Sequence, residues 1–330
     1  MKLFWKETVI SAVMGFVVPW VCLSFVVALG GREGTVPVRD PADTGAEEIT
    51  STDAQAPEAG MELAVLIDGQ VTQMELEEYI AGVVLAEMPA EFETEALKAQ
   101  AVVARTYALR RMETGNKHDN CDVCGDPNCC QGYKPVEEYL KRGETQENVD
   151  KIRGAVSATA GQVLVYDGEL IEATYFSCSG GQTEDALTVW GTDIPYLRST
   201  ESPGEEDAAH YTDTVFMTRE EFITCVDTPL SGPASTWLGP VTYTTGGGVN
   251  TIQIGGRTYK GTEVRAMLGL RSTDFTMTAK GDGIEVVTRG FGHRVGMSQY
   301  GADAMAVTGS GYREILAHYY QGTDLIHYEP

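Results

Sequence analysis

The sequence predicts an α+β domain: a helical core bearing the active site, joined to a β-rich portion and preceded by a single N-terminal transmembrane helix. Three observations lead there. Two helix-period stretches between residues 72 and 112 each carry a stripe of apolar or small residues along one face. Short strand-like runs punctuated by Asp-Gly and Gly-Gly pairs fill much of the remainder. Val9–Leu29 is apolar except for isolated Ser, Gly and Pro residues.

At about 1.5 Å per residue that stretch reaches across a hydrocarbon layer of roughly 30 Å. Lys2 and Lys6 precede it, which keeps the N-terminus cytoplasmic. Val27-Ala28-Leu29-Gly30 makes a poor cleavage site, so residues 1–30 read as an uncleaved anchor, with the rest outside the membrane. Residues 31–60 are rich in Pro, Gly, Ala, Thr and acidic residues and cannot bury enough surface to order themselves; they read as a flexible tether. A domain spanning residues 61–330 follows, with a possible β-rich insertion at about 200–288.

The chain has 330 residues, with 24 basic against 48 acidic side chains and a formal charge of −24. Nucleic acid is excluded as a partner, because phosphate binding relies on basic patches.

Leu63–Ile67 reads as a strand and Asp68-Gly69 as a turn. Thr72 and Glu75 have capping-box spacing, with Val71 and Leu76 at the staple positions, so a helix is expected from there. Leu76, Ile80 and Val83 share one face, and Glu87 continues their spacing. Pro89 ends the helix within a turn of Glu87. At a helix C-terminus, half desolvated, a carboxyl is pushed toward its neutral form, as a general acid requires. A surface Glu facing water is the alternative from these residues alone. The second helix, about Glu93–Met112, has a small-residue stripe at Leu97, Ala101, Ala104 and Ala108. Lys98 and Arg105 stand in an otherwise uncharged run, where burial against a carboxylate competes with simple solvation.

His118, Cys121, Cys124, Cys129 and Cys130 fall within thirteen residues. His-x5-Cys-x5-Cys and Cys-x2-Cys spacings suit a tetrahedral zinc; disulfides are the other reading outside the cytoplasm. One of the adjacent Cys129 and Cys130 is expected to be spare. Cys178 and Cys225 are isolated and read as buried thiols.

A helix near Val149–Thr159 precedes a hairpin of Gly161–Tyr166 and Glu169–Phe176 about Asp167-Gly168. The hairpin delivers Ser179-Gly180-Gly181, a loop able to present hydroxyl and N–H groups. After a less informative β-rich region with a helix near Thr262–Leu268, Gly290-Phe291-Gly292-His293-Arg294-Val295-Gly296 leads into Ser298 and Gln299, with His293, Ser298 and Gln299 as candidate polar contacts. No P-loop lysine accompanies these glycines. Helices at Gln299–Val307 and Tyr312–Tyr320 close the domain.

Taken in order, Leu85-Ala86-Glu87-Met88-Pro89, Leu97-Lys98-Ala99-Gln100-Ala101 with Ala104-Arg105-Thr106-Tyr107, Phe176 with Ser179-Gly180-Gly181, Val189-Trp190-Gly191, and Gly292–Ala302 resemble the stage II sporulation protein D family, which shares its domain with amidase-enhancer proteins. Arg294 stands where many relatives have Gly. The resemblance implies a lytic transglycosylase that cleaves peptidoglycan glycan strands at the septum during engulfment, with the sporulation amidase protein P and membrane protein M as partners. By transfer of the motif, Glu87 is the single acid/base, and Lys98 and Arg105 support it or bind glycan. His118, Cys124 and Cys130 fit a structural zinc that the chemistry does not require, the remaining coordination position being left to a water or to Glu87. A non-catalytic, glycan-binding activator of a cell-wall amidase is the alternative the enhancer branch suggests. Zinc-dependent hydrolysis is weaker, since no His-Glu-x-x-His pattern is present.

Overall fold

Glu62–Ile67 alternates buried and exposed positions and pairs antiparallel with Gln70–Glu75 across the Asp68-Gly69 turn. Both turn residues have positive φ, +49° and +80°, the twist-matched geometry of a two-residue hairpin. The computed structural model describes residues 60–115 and 117–329. The expected anchor and tether lie outside the described residues, among which no helix is long and apolar enough to cross a membrane.

The helix expected from Thr72 starts later. Thr72 is a strand residue opposite Val65, and the helix is Leu76–Glu87, capped by Glu75, whose side chain accepts from the Glu78 N–H at 2.9 Å. Strand pairing imposed by the tight turn outcompetes the local capping signal. Met88 adopts extended backbone ahead of Pro89 and ends the helix, leaving Glu87 in its last turn.

Thr94–Thr114 forms the central helix, buried continuously from Ala96 to Leu109 except at Lys98. Leu76–Glu87, Gln146–Ser157, Gln299–Val307 and Tyr312–Tyr319 pack around it, together with the strand Gln162–Tyr166. Its alanines permit that close approach. Arg105 is wholly buried there, and its Nη2 and Nε lie 2.6 and 2.8 Å from the two Glu77 oxygens. This bidentate pair satisfies an otherwise costly buried cation and ties the two helices together.

The expected hairpin strand Glu169–Phe176 is divided. Glu169–Leu170 pairs with Gln162–Tyr166, whereas Tyr175–Phe176 pairs in parallel with Met297–Ser298. Ile171 and Ala173 turn into the core between them. This switch brings Tyr175 beside Gln299, which are 124 positions apart in sequence.

The β-rich portion is a lobe with its own core. Thr212–Thr218, Gly283–Arg289 and Asp274–Lys280 form one antiparallel sheet; Leu238–Tyr243, Val249–Ile254 and Arg257–Lys260 form another. Phe222, Trp237, Ile252, Tyr259, Val264 and Phe275 fill the space they enclose with the helices Arg219–Cys225 and Gly261–Leu268. The described residues thus form an α+β fold with two hydrophobic cores.

Candidate active site

Glu87 lies in a cleft of about 550 Å³ whose walls come from both lobes. Tyr175, His293, Gln299, Phe291 and Arg265 line it, and Glu87 is the one carboxylate in its lining. The Glu87 Oε1 accepts from the Gly132 N–H at 2.6 Å. Glycine at 132 leaves room for this contact, since a Cβ there would come within 2.8 Å of that oxygen and displace the carboxylate. Tyr175 and Gln299 side chains also hydrogen-bond the carboxylate.

Burial raises the Glu87 pKa, and these three hydrogen bonds oppose but do not cancel it. The Tyr175 phenol is pushed well above its usual value, by burial first and then by Glu87, so it stays a donor. Its hydroxyl also reaches Gln131 Oε1 at 3.2 Å, and Gln131 continues to the Tyr79 hydroxyl at 3.3 Å. Gln299 reaches Gln100 Oε1 at 3.5 Å, while Gln100 Nε2 is buried without a partner. The carboxyl is therefore held from behind by a polar network and open toward the cleft.

His293 stacks edgewise against Phe176, and its ring centroid lies 5.4 Å from that of Trp190. Its Nδ1 accepts from the Val295 N–H at 3.1 Å, and it hydrogen-bonds the Tyr175 backbone. Desolvation, with Arg265 nearby, lowers its pKa to about 4. A desolvated imidazole with both edges engaged shapes the wall of the cleft.

The other four residues singled out for binding or support lie outside the cleft lining. Lys98 pairs with Glu95 at 2.6 Å and lies over the Tyr312 ring. Arg105 is committed to Glu77. Ser179 and Ser298 turn toward the buried Glu205: Ser179 donates its N–H at 2.9 Å and its hydroxyl at 2.7 Å, Ser298 donates its hydroxyl, and Ser298 also accepts from the Gly301 N–H. Gly180 N–H and Ser202 Oγ complete that cradle. The Ser-Gly-Gly loop thus presents its donors inward to a carboxylate of the chain itself.

Sequence reasoning did not single out Tyr175, Gln131, Gly132 or Arg265. A tyrosine opening the Tyr175-Phe176 strand end was a signal for the first; the others carry no local signature.

His118, Cys124, Cys129 and Cys130 place their ligand atoms within 4.8 Å of one another. Cys129 lies within the group as closely as Cys130: a turn closed by hydrogen bonds from both the Cys129 and Cys130 N–H groups to Asp126 O sets the two sulfurs 3.6 and 3.5 Å from His118 Nε2. Burial pushes the Cys124 thiol up to about 12, whereas for Cys130 the Cys124 backbone and His118 outweigh burial and lower it. One imidazole and three sulfurs suit a tetrahedral zinc, and Glu87 is outside the group. The parallel pairing of Val123–Cys124 with Val65–Leu66 anchors this loop, which leads directly to Gly132.

A family model described as "Stage II sporulation protein" matches residues 68–166. The stage II sporulation protein D of Bacillus subtilis (strain 168) is 40% identical over 298 residues, covering 89% of this chain and 85% of that protein. The protein of the same name from Bacillus amyloliquefaciens is 37% identical, covering 91% of this chain and 90% of its own length. An amidase enhancer of Bacillus subtilis is 30% identical over 302 residues, 76% of this chain and 40% of that protein. With identity sustained across nearly the whole domain, the chain belongs to the stage II sporulation protein D family.

Proposed function

We propose that this protein is a lytic transglycosylase that cleaves peptidoglycan glycan strands with Glu87 as its single acid/base. The observation that carries the reading is a carboxyl group with a raised pKa that is the one carboxylate of the cleft lining. Hydrolytic glycosidases use two carboxyl groups, one to protonate the leaving oxygen and one to activate water or form an intermediate. One suffices when the nucleophile belongs to the substrate. Protonated Glu87 gives its proton to the glycosidic oxygen as the C1–O bond breaks. The resulting carboxylate then takes the proton of the muramic acid C6 hydroxyl, whose oxygen bonds to C1. Glu87 ends protonated, the product is a 1,6-anhydro sugar, and no water is consumed. Intramolecular attack has an effective-molarity advantage that offsets the missing second carboxylate. Gly132, Tyr175 and Gln299 stabilise the carboxylate between the two transfers.

His118, Cys124, Cys129 and Cys130 would hold zinc as a structural ion, which would cross-link the loop before Gly132 and thereby steady the Gly132 N–H. The expected Val9–Leu29 anchor would place the domain outside the membrane, and the family resemblance points to amidase protein P and membrane protein M as partners at the septum.

The relative named amidase enhancer favours a second reading, a glycan-binding activator of an amidase without chemistry of its own. Digestion of purified peptide-free glycan strands, read by mass spectrometry, separates the two. Anhydro-disaccharides lost in Glu87→Gln support the first; intact strands alongside stimulation of an added amidase overturn it in favour of the second. Reducing-end products abolished by chelation would instead indicate metal-dependent hydrolysis.

A further inference from the structure

The cleft contains one cation that the acid/base reading leaves unused. Arg265 belongs to the Gly261–Leu268 helix of the β-rich lobe, yet it lines the same cavity as Glu87. Its Nε donates to Leu270 O at 3.3 Å, which orients the guanidinium through the backbone of its own lobe. Arg105, Arg110, Arg111, Arg271 and Arg294, buried or half-buried like it, each have a carboxylate within ion-pair distance. Arg265 forms no such pair with any described residue, in a chain with twice as many acidic as basic side chains. Burial depresses its pKa with no acidic neighbour offsetting the effect. A half-desolvated guanidinium held in place without a counter-ion is costly unless a ligand supplies one. Its planar fork matches a carboxylate.

The other groups lining the cleft supply no carboxylate free to pair with Arg265. Glu87 is the one carboxylate of the lining and is held by Gly132, Tyr175 and Gln299, while His293 is neutral and Phe291 apolar. We propose that Arg265 binds a carboxylate carried by the muramic acid unit, making the cleft selective for muramic-acid glycan over neutral N-acetylglucosamine polymer. The inference rests on reading this cleft as a glycan site. The carboxylate has two sources, the lactyl group of a peptide-free strand and the acidic groups of an attached stem peptide.

Calorimetric titration of the full-length chain carrying Glu87→Gln tests this without turnover. The ligands are peptide-free glycan oligomers, the same oligomers with lactyl carboxylates methyl-esterified, peptide-bearing strands and chito-oligosaccharides. Peptide-free oligomers are expected to bind about tenfold or more tightly than their esters, a preference that weakens with salt. Adding Arg265→Gln brings the ratio to about one while affinity for the neutral ligands stays, and Arg265→Lys restores part of it. If the stem peptide is the source, only peptide-bearing strands respond to Arg265→Gln. Equal binding of acid and ester, with peptide-bearing strands indifferent to Arg265→Gln, overturns the inference alone. Absence of binding to every glycan overturns the glycan reading and the inference with it.

Discussion

Glu87 and Glu205 are both carboxylates cradled by backbone N–H groups and hydroxyl or amide donors, and they differ in where the remaining space goes. Glu205 is buried and has its lone pairs distributed among Ser179, Gly180, Ser202 and Ser298. Its free energy is committed to joining the Ser-Gly-Gly loop, the 202–208 loop and the start of the Gln299–Val307 helix. Glu87 has fewer donors and an open side toward the cleft. A fully satisfied buried carboxylate fixes a fold; a partly satisfied one at a cleft keeps a face open to a ligand.

The largest effect expected from this contrast is on rate. Glu87→Gln keeps the shape of the side chain and removes the proton donor, so release of anhydro product should fall by about 10²- to 10⁴-fold, measured on peptide-free strands. Retention of more than a tenth of the activity would break the assignment. Glu205→Ala should act on the fold instead. It leaves several buried donors unpaired, each costing roughly 1–3 kcal/mol, and urea denaturation should show a loss on the order of 3 kcal/mol or more. An unchanged midpoint would show that water replaces the carboxylate and that the cradle is not structural.

Metal removal is next in size. Zinc content should be one ion per chain, and chelation or Cys130→Ser should lower the melting temperature and increase hydrogen exchange at 118–132. Activity should fall only through displacement of the Gly132 N–H. Loss of activity without loosening of that loop would give the ion a direct part in the chemistry.

The pH dependence has a definite sign. Folding raises the Glu87 pKa, so its contribution to stability is complete below the ordinary carboxyl range and is lost as pH rises through the raised value. At neutral pH Glu87→Gln should therefore match or exceed the unsubstituted chain in thermal stability, with the difference disappearing in acid. Activity should decline along the same alkaline limb as the proton is lost. The smallest effect is that of Tyr175→Phe, which removes one donor to the carboxylate; that limb should move to higher pH and the rate should change on the order of three- to tenfold.

Glu87 was legible in the sequence because its position is local: the spacing from Leu76 through Ile80 and Val83 and the stop at Pro89 are contained in fourteen residues. The buried setting of Arg105 was legible for the same reason, although its partner Glu77 was not. Tyr175 and Arg265 were not legible as site residues, since the first reaches the cleft through a pairing between distant segments and the second from the other core. The Thr72 error has the opposite origin. A genuine local capping pattern was overridden by six residue pairs closing on Asp68-Gly69. Ser179 and Ser298 were read as contacts to substrate, whereas both donate to Glu205, which lies in a loop without periodicity.

Arg294 has a consequence for how substrate enters. It adopts φ +67°, costly for a side chain of its size, and its guanidinium donates to Ser179 O and Gln182 O in one lobe and to Gly246 O in the other, beside Glu184 at 3.3 Å. Such a pin resists hinge motion between the lobes and so steadies the spacing of Glu87 and Arg265 across the cleft. Under the proposed glycan reading, a strand would meet walls already set apart rather than walls that close around it.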